Sequence, residues 1–253
     1  MDAGVLAILS AAALATSVLS AIVGMAGGIV LLAVMLLFFE PLLAIPLHGI
    51  VQLVSNTSRT FIQRRHVDVS IVWRYSLLLI PTGYVGYLLL RSLPPDTARA
   101  AIGAFVLLAT WAPSWLLIGT HPERLERSRR FVLLGGVVGL LNTTIGATGP
   151  LLAPFFLNLG LDRRELIGTK AACQGLGHLA KLVIFGSMGF AFLDYAGPLA
   201  WLCGAVVVGT WLGSQILGHV SEESFVRFYK TVLTLVALRL LVWDGLGALG
   251  LRA

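Results

Sequence analysis

Two polar stripes in an otherwise apolar chain hold the residues with chemistry to offer. His48, Gln52, Asn56 and Arg59 form one, and Lys170, Gln174, His178 and Lys181 form the other. Each set is spaced by four, four and three residues, so each lies along one face of a helix. Polar groups at bilayer depth are costly and face a bundle interior or a wet cavity. Both stripes are basic. The twelve acidic residues (Asp2, Glu40, Asp68, Asp96, Glu123, Glu126, Asp162, Glu165, Asp194, Glu222, Glu223 and Asp244) fall in loops or near segment ends. A cavity that holds cations with no fixed counter-ion favours an anionic guest. Gln52 and Gln174 would give it hydrogen bonds, while His48, Lys170 and His178 would supply positive or titratable groups. The two histidines titrate near neutrality and could relay protons as readily as donate hydrogen bonds. Arg59 and Lys181 come late in their segments, where they are expected to attract anions at the cavity mouths or to snorkel.

Two glycine-rich breaks offer the second part of a site. One is Gly24-Met25-Ala26-Gly27-Gly28, and the other runs from Asn142 through Thr143, Thr144, Gly146 and Thr148 to Gly149-Pro150. Glycine and proline interrupt a helix there. A helix that restarts after such a break presents unpaired N–H groups and partial positive charge, which suits an anion. Gly24, Gly27, Gly28, Asn142, Thr143, Gly146, Thr148 and Gly149 therefore join the stripe residues as candidate binding positions.

The elements that must position these groups are membrane segments. Of 253 residues, 57% are hydrophobic and 12% charged, and the mean hydropathy is +0.90. A soluble domain needs more charge to cover its surface. Apolar segments fall at about 4–23, 29–39, 42–62, 70–90, 98–119, 131–141, 151–160, 166–187, 192–217 and 225–243. Crossing about 30 Å of hydrocarbon takes roughly 20 helical residues. Segments 29–39, 131–141 and 151–160 are too short to do so upright. Val5 to Val23 lacks the basic flank of a signal peptide. The net charge of +6 sits mostly in loops, so topology explains it better than nucleic acid does. No P-loop, zinc motif or nucleophile elbow occurs, and Cys173 and Cys203 read as small packing residues. The expectation is no enzyme, no cofactor and no metal site. Trp73, Trp111, Trp115, Trp201 and Trp243 suit an interfacial belt. Arg239 reads as a snorkelling residue.

Basic residues choose between two topologies. If each broken segment returns to its own side, Arg64, Arg65, Arg124, Arg127, Arg129, Arg130, Arg163, Arg164, Arg227 and Lys230 share one side, against Arg91, Arg99 and Arg252 on the other. If each crosses once, the split is seven against six. Only the hairpin arrangement gives the expected positive-inside bias. It puts both termini outside and the 120–130 loop in the cytoplasm.

A shift of 122 positions superposes the halves. Gly24 meets Gly146, Gly27 meets Gly149, Glu40 meets Asp162, Ile45 meets Ile167, Gln52 meets Gln174 and Arg59 meets Lys181. After a small insertion, Gly86 meets Gly213. The expected fold is an all-α, polytopic membrane bundle of two inverted repeats, each a broken, re-entrant hairpin followed by three crossings. The first repeat spans 1–120 with its hairpin at 4–39. A cytoplasmic linker follows at 121–130, and the second repeat spans 131–253 with its hairpin at 131–160.

The glycine motif at Gly24–Gly28, its echo at Gly146–Pro150, Pro154, Gly160-Leu161 and the Gly168-Thr169 step together resemble the TauE/SafE family of sulfite-exporter-like permeases. The resemblance covers essentially the whole chain. Ala26 replaces one glycine of the family's run, and Thr148 and Pro150 replace two in the second copy. The resemblance implies a transporter of small sulfur-containing anions, such as sulfite or organosulfonates, working without ATP hydrolysis. The expected function is a secondary anion transporter in the bacterial inner (plasma) membrane. Its partners are a small anion and the lipid bilayer, with a coupling proton and a homodimer left open. A passive anion channel, a membrane assembly factor and an intramembrane enzyme are the rivals.

Overall fold

In a computed structural model, residues 2–23, 27–117, 121–156, 158–216 and 222–251 are described, and none of them is in a strand. Gly24, from the first break, and Arg252, from the charge tally, lie outside the described residues. The helices are α1 (Ala3–Val23), α2 (Gly27–Met35), α3 (Pro41–Ile62), α4 (Val69–Ser76), α5 (Leu79–Ser92) and α6 (Pro95–Trp111) in the first half. The second half has α7 (Arg127–Thr144), α8 (Gly149–Phe155), α9 (Arg163–Ser187), α10 (Ala196–Ile216), α11 (Glu222–Arg239) and α12 (Gly245–Ala248). Among the described residues, three stretches are long and apolar enough to cross a membrane: Ala3–Ala21, Phe192–Gln215 and Lys230–Ala248.

The surface exposes large apolar side chains while several polar ones are buried. Phe61, Ile62, Val85, Val183, Leu235 and Val242 are exposed, while His48, Asn56, Arg59, Asn142 and Lys181 are buried. Lipid accepts the first set, and only a polar interior can accept the second.

Contacts fix the relative direction of three helix pairs. α1 and α10 run parallel, with Gly209 against Leu14 and Ser17 and Gly213 against Val18 and Ala21. α5 and α7 also run parallel, with Gly83 against Gly139 and Gly86 against Leu140, Thr143 and Thr144. Each half's first helix therefore packs on a helix of the other half. α3 and α9 cross the centre antiparallel: Gly49 faces Lys181 and Leu182, Gly175 faces Asn56, and Gly168 faces Gln63.

α2 packs back on α1, and α8 packs back on α7. Gly27 packs on the Thr16 carbonyl and on Ser20. Eleven residues of continuous helix would separate Gly27 from Thr16 by roughly 16 Å. Arg130 Nη2 donates to the Pro154 carbonyl at 3.2 Å, where a continuous helix would put roughly 36 Å between them. α7 reaches 18 residues, longer than the apolar 131–141 segment, because it adds the polar Arg127–Arg130 turn at its start and Asn142–Thr144 at its end. The loop after α3, the start of α7 and the start of α9 meet at one end, where Arg127 pairs with Asp68 and the Asp68 N–H donates to Thr169 Oγ1 at 2.9 Å.

Two expected single segments are divided. Segment 70–90 breaks at Leu77–Leu78 between α4 and α5. Segment 225–243 ends in a π-turn, Leu240–Asp244, before α12. That turn buries Asp244, which accepts from Arg239 Nη1 at 2.7 Å and lies 3.9 Å from Arg99. Arg239 is thus held by a carboxylate five residues on.

Candidate functional site

α3 and α9 bring the two stripes face to face. α3 starts from an extended Glu40 with Pro41 in the first turn, and α9 starts from a capping box between Asp162 and Glu165. Glycines at 49, 168 and 175 let the helices approach closely. The stripes then face a small cavity rather than lipid.

His48, Gln52 and Arg59 line that cavity from α3, and Gln174, Gly177 and His178 line it from α9. The breaks add Gly28, Ile29, Ala147, Thr148 and Gly149. Ser20 of α1, Tyr75 of α4, and Val138 and Asn142 of α7 complete the wall. No carboxylate is among these residues. The cavity has room for one or two waters.

Hydrogen bonds hold the wall in place. His48 Nε2 is 2.8 Å from the Gly28 carbonyl, so that nitrogen carries the proton and pins the first break to α3. The His48 and His178 rings meet edge to face with centroids 5.7 Å apart. Arg59 donates from Nη2 to Asn56 Oδ1 at 2.8 Å and from Nη1 to the Ser20 carbonyl at 3.3 Å. Asn56 Nδ2 in turn donates to the Gln52 carbonyl at 2.8 Å. None of these acceptors on Arg59 is charged, so its positive charge faces the cavity without a neutralising carboxylate there. A Cβ on Gly28 would come within 3.0 Å of Gln52 Oε1, so glycine is what lets the amide reach the break.

Other expected residues surround the cavity without lining it. Lys181 is fully buried and donates to the Gly146 carbonyl at 2.7 Å, which fixes the second break at a glycine with φ +94°. Thr143 Oγ1 donates to the Gly83 carbonyl at 2.8 Å and so joins α7 to α5. Gly27 packs against α1, Asn56 supports Arg59, and Lys170 is buried on α9 outside the wall.

Sequence reading missed Ser20 and Tyr75. The 122-position shift places Ser20 opposite Asn142, so the repeat itself could have nominated it. Nothing in the pattern signals Tyr75.

A family model described as Sulfite exporter TauE/SafE matches residues 9–240. No curated protein and no solved structure matches the chain.

Proposed function

The chain belongs to the sulfite exporter TauE/SafE family, and from that premise we propose that it is a secondary transporter for a small anion, of the sulfite or organosulfonate class. One observation carries the reading: a guanidinium, two imidazoles and two glutamine side chains converge on a buried cavity with no carboxylate in its wall. An anion supplies the missing charge and accepts the hydrogen bonds of both stripes.

The two halves act as inverted repeats, and access alternates as one rocks against the other. Their reciprocal packing supports this: the residues Gly86 meets, Leu140 and Thr143, are the residues Gly213 meets, Val18 and Ala21, moved by the same 122 positions. Each broken pair, α1–α2 and α7–α8, is a re-entrant hairpin. The end bearing Arg64, Arg65, Arg127, Arg130, Arg163 and Arg164 is cytoplasmic, with both termini outside the plasma membrane.

Gln52→Leu and Gln174→Leu test the site. Each should abolish sulfite uptake into proteoliposomes while leaving the protein folded, because leucine keeps the volume and removes the hydrogen bonds. Unchanged uptake kinetics in both variants would remove the site. Counterflow of labelled against unlabelled sulfite separates a carrier from a channel, since only a carrier exchanges.

A further inference from the structure

Besides His48 Nδ1 on α3, three buried polar atoms on the cavity wall have no hydrogen-bond partner among the described residues: Tyr75 Oη, Asn142 Oδ1 and His178 Nδ1. Their residues come from three helices, α4, α7 and α9, and are 0%, 3% and 7% exposed. A buried polar atom left unpaired is costly, so three around one void point to a guest. Gly177 keeps this corner open. A Cβ there would lie 3.2 Å from Tyr75 Oη and 3.3 Å from Asn142 Nδ2.

The three atoms do not ask for the same thing as Arg59. A guanidinium only donates, and an amide oxygen only accepts. A phenol does either, and an imidazole nitrogen does one or the other according to its tautomer. An oxyanion with bare oxygens alone would satisfy Arg59 and the Tyr75 hydroxyl, but would set an acceptor against Asn142 Oδ1. An oxyanion with one O–H can donate to Asn142 and accept from the others.

We propose that Tyr75, Asn142 and His178 form a subsite for the protonated oxygen of a monohydrogen oxyanion, with Asn142 Oδ1 accepting a hydrogen bond from its O–H and Tyr75 Oη donating to a neighbouring oxygen. The proposal rests on the anion-transport reading above and names the protonation state in which the anion is held. Tyr75 becomes a specificity residue, and the carrier selects the hydrogen-bearing form of its substrate.

Two ligands of the same shape and single charge test this. At mildly acidic pH methylphosphonate is a monoanion with one O–H, and methanesulfonate is a monoanion with none. Thermal-shift titration of the purified full-length protein should give methylphosphonate at least a tenfold tighter affinity, because a site built around a substrate O–H rejects the analogue without it. Tyr75→Phe should weaken methylphosphonate at least fivefold and leave the unliganded unfolding midpoint unchanged or raised, since it deletes an unpartnered hydroxyl. A lowered unliganded midpoint with unchanged affinities would make that hydroxyl structural and overturn the proposal. Equal affinities in the unaltered protein, including no shift from either ligand where sulfite gives one, would overturn the subsite and leave the transport reading standing. No shift from any of the three would sink both.

Discussion

Arg59 and Lys181 stand 122 positions apart at matching places on α3 and α9, yet the fold uses them differently. Arg59 lines the cavity and reaches only neutral acceptors. Lys181 is sealed away, with its ammonium on the Gly146 carbonyl. On the transport reading proposed above, one half lends its cation to the guest, and the other uses its cation to hold a broken helix in shape. The glutamines differ from this pattern, because Gln52 and Gln174 are identical and both line the cavity. Repetition thus preserves the hydrogen-bonding pair and splits the charges between binding and scaffold.

Methionine at each cation breaks the comparison most severely. Arg59→Met should weaken sulfite affinity by about 10- to 100-fold, since a hydrogen bond to a charged group contributes about 1.5–3 kcal/mol and each 1.4 kcal/mol is tenfold. Lys181→Met should instead destabilise the unliganded protein, because the Gly146 carbonyl loses its partner at a cost of about 1–3 kcal/mol. Thermal-shift titration reads both quantities in one experiment. Equal losses of affinity in the two variants would show that Lys181 also faces the guest and that the division of labour is wrong.

A smaller effect separates the paired interfaces. Gly86 and Gly213 do the same job in α5 and α10, but a Cβ on Gly86 would come within 2.2 Å of the Leu140 carbonyl, against 2.7 Å from Ala21 Cβ and the Val18 carbonyl for Gly213. Gly86 also accepts from Thr144 Oγ1 at 3.0 Å, and Thr143 bonds the neighbouring Gly83 carbonyl. Gly86→Ala should therefore lower the unfolding midpoint in detergent more than Gly213→Ala. Both effects should fall within the roughly 1–3 kcal/mol typical of overpacking. A larger loss from Gly213→Ala would put the tighter interface in the other half.

These pairs also show what can be read in a chain like this. Helix positions follow from apolar run length, and the 122-position shift points to Gly24, Gly27, Gln52 and Arg59 with their counterparts, because a repeat leaves coincident landmarks in the letters. The same shift leads from Asn142 to Ser20. It cannot lead to Tyr75, whose counterpart beyond the insertion is the apolar Leu202. Tyr75 is nevertheless buried on α4 and lines the cavity. Arg239 and Asp244 escaped notice because helical pairing is sought at three and four residues. Their five-residue spacing faces one way only across a π-turn. Whether Lys181 lies at a mouth or on a carbonyl is likewise decided by the conformation of the second break, which its letters do not specify.

The smallest contrast lies at the starts of α3 and α9. Asp162 Oδ1 accepts from the Glu165 and Arg164 N–H groups at 2.8 and 2.7 Å, and Glu165 returns a bond to the Asp162 N–H at 3.0 Å. Glu40 makes no side-chain cap, and Pro41 supplies a preset backbone angle instead. Asp162→Ala should lower the unfolding midpoint, while Glu40→Ala should leave it nearly unchanged. The Glu165 N–H, and after it the Arg164 N–H, hold the Asp162 carboxyl below the usual aspartate range. A carboxyl whose folded pKa is depressed contributes its stability above its unfolded value and loses it as pH falls towards the folded one. The gap between unaltered protein and Asp162→Ala should therefore be full at neutral pH and close below about pH 4, the ordinary range of an aspartate. A gap that persists into stronger acid would mean that the cap works without its charge, and no gap at any pH would mean that α9 is started by its packing against α3.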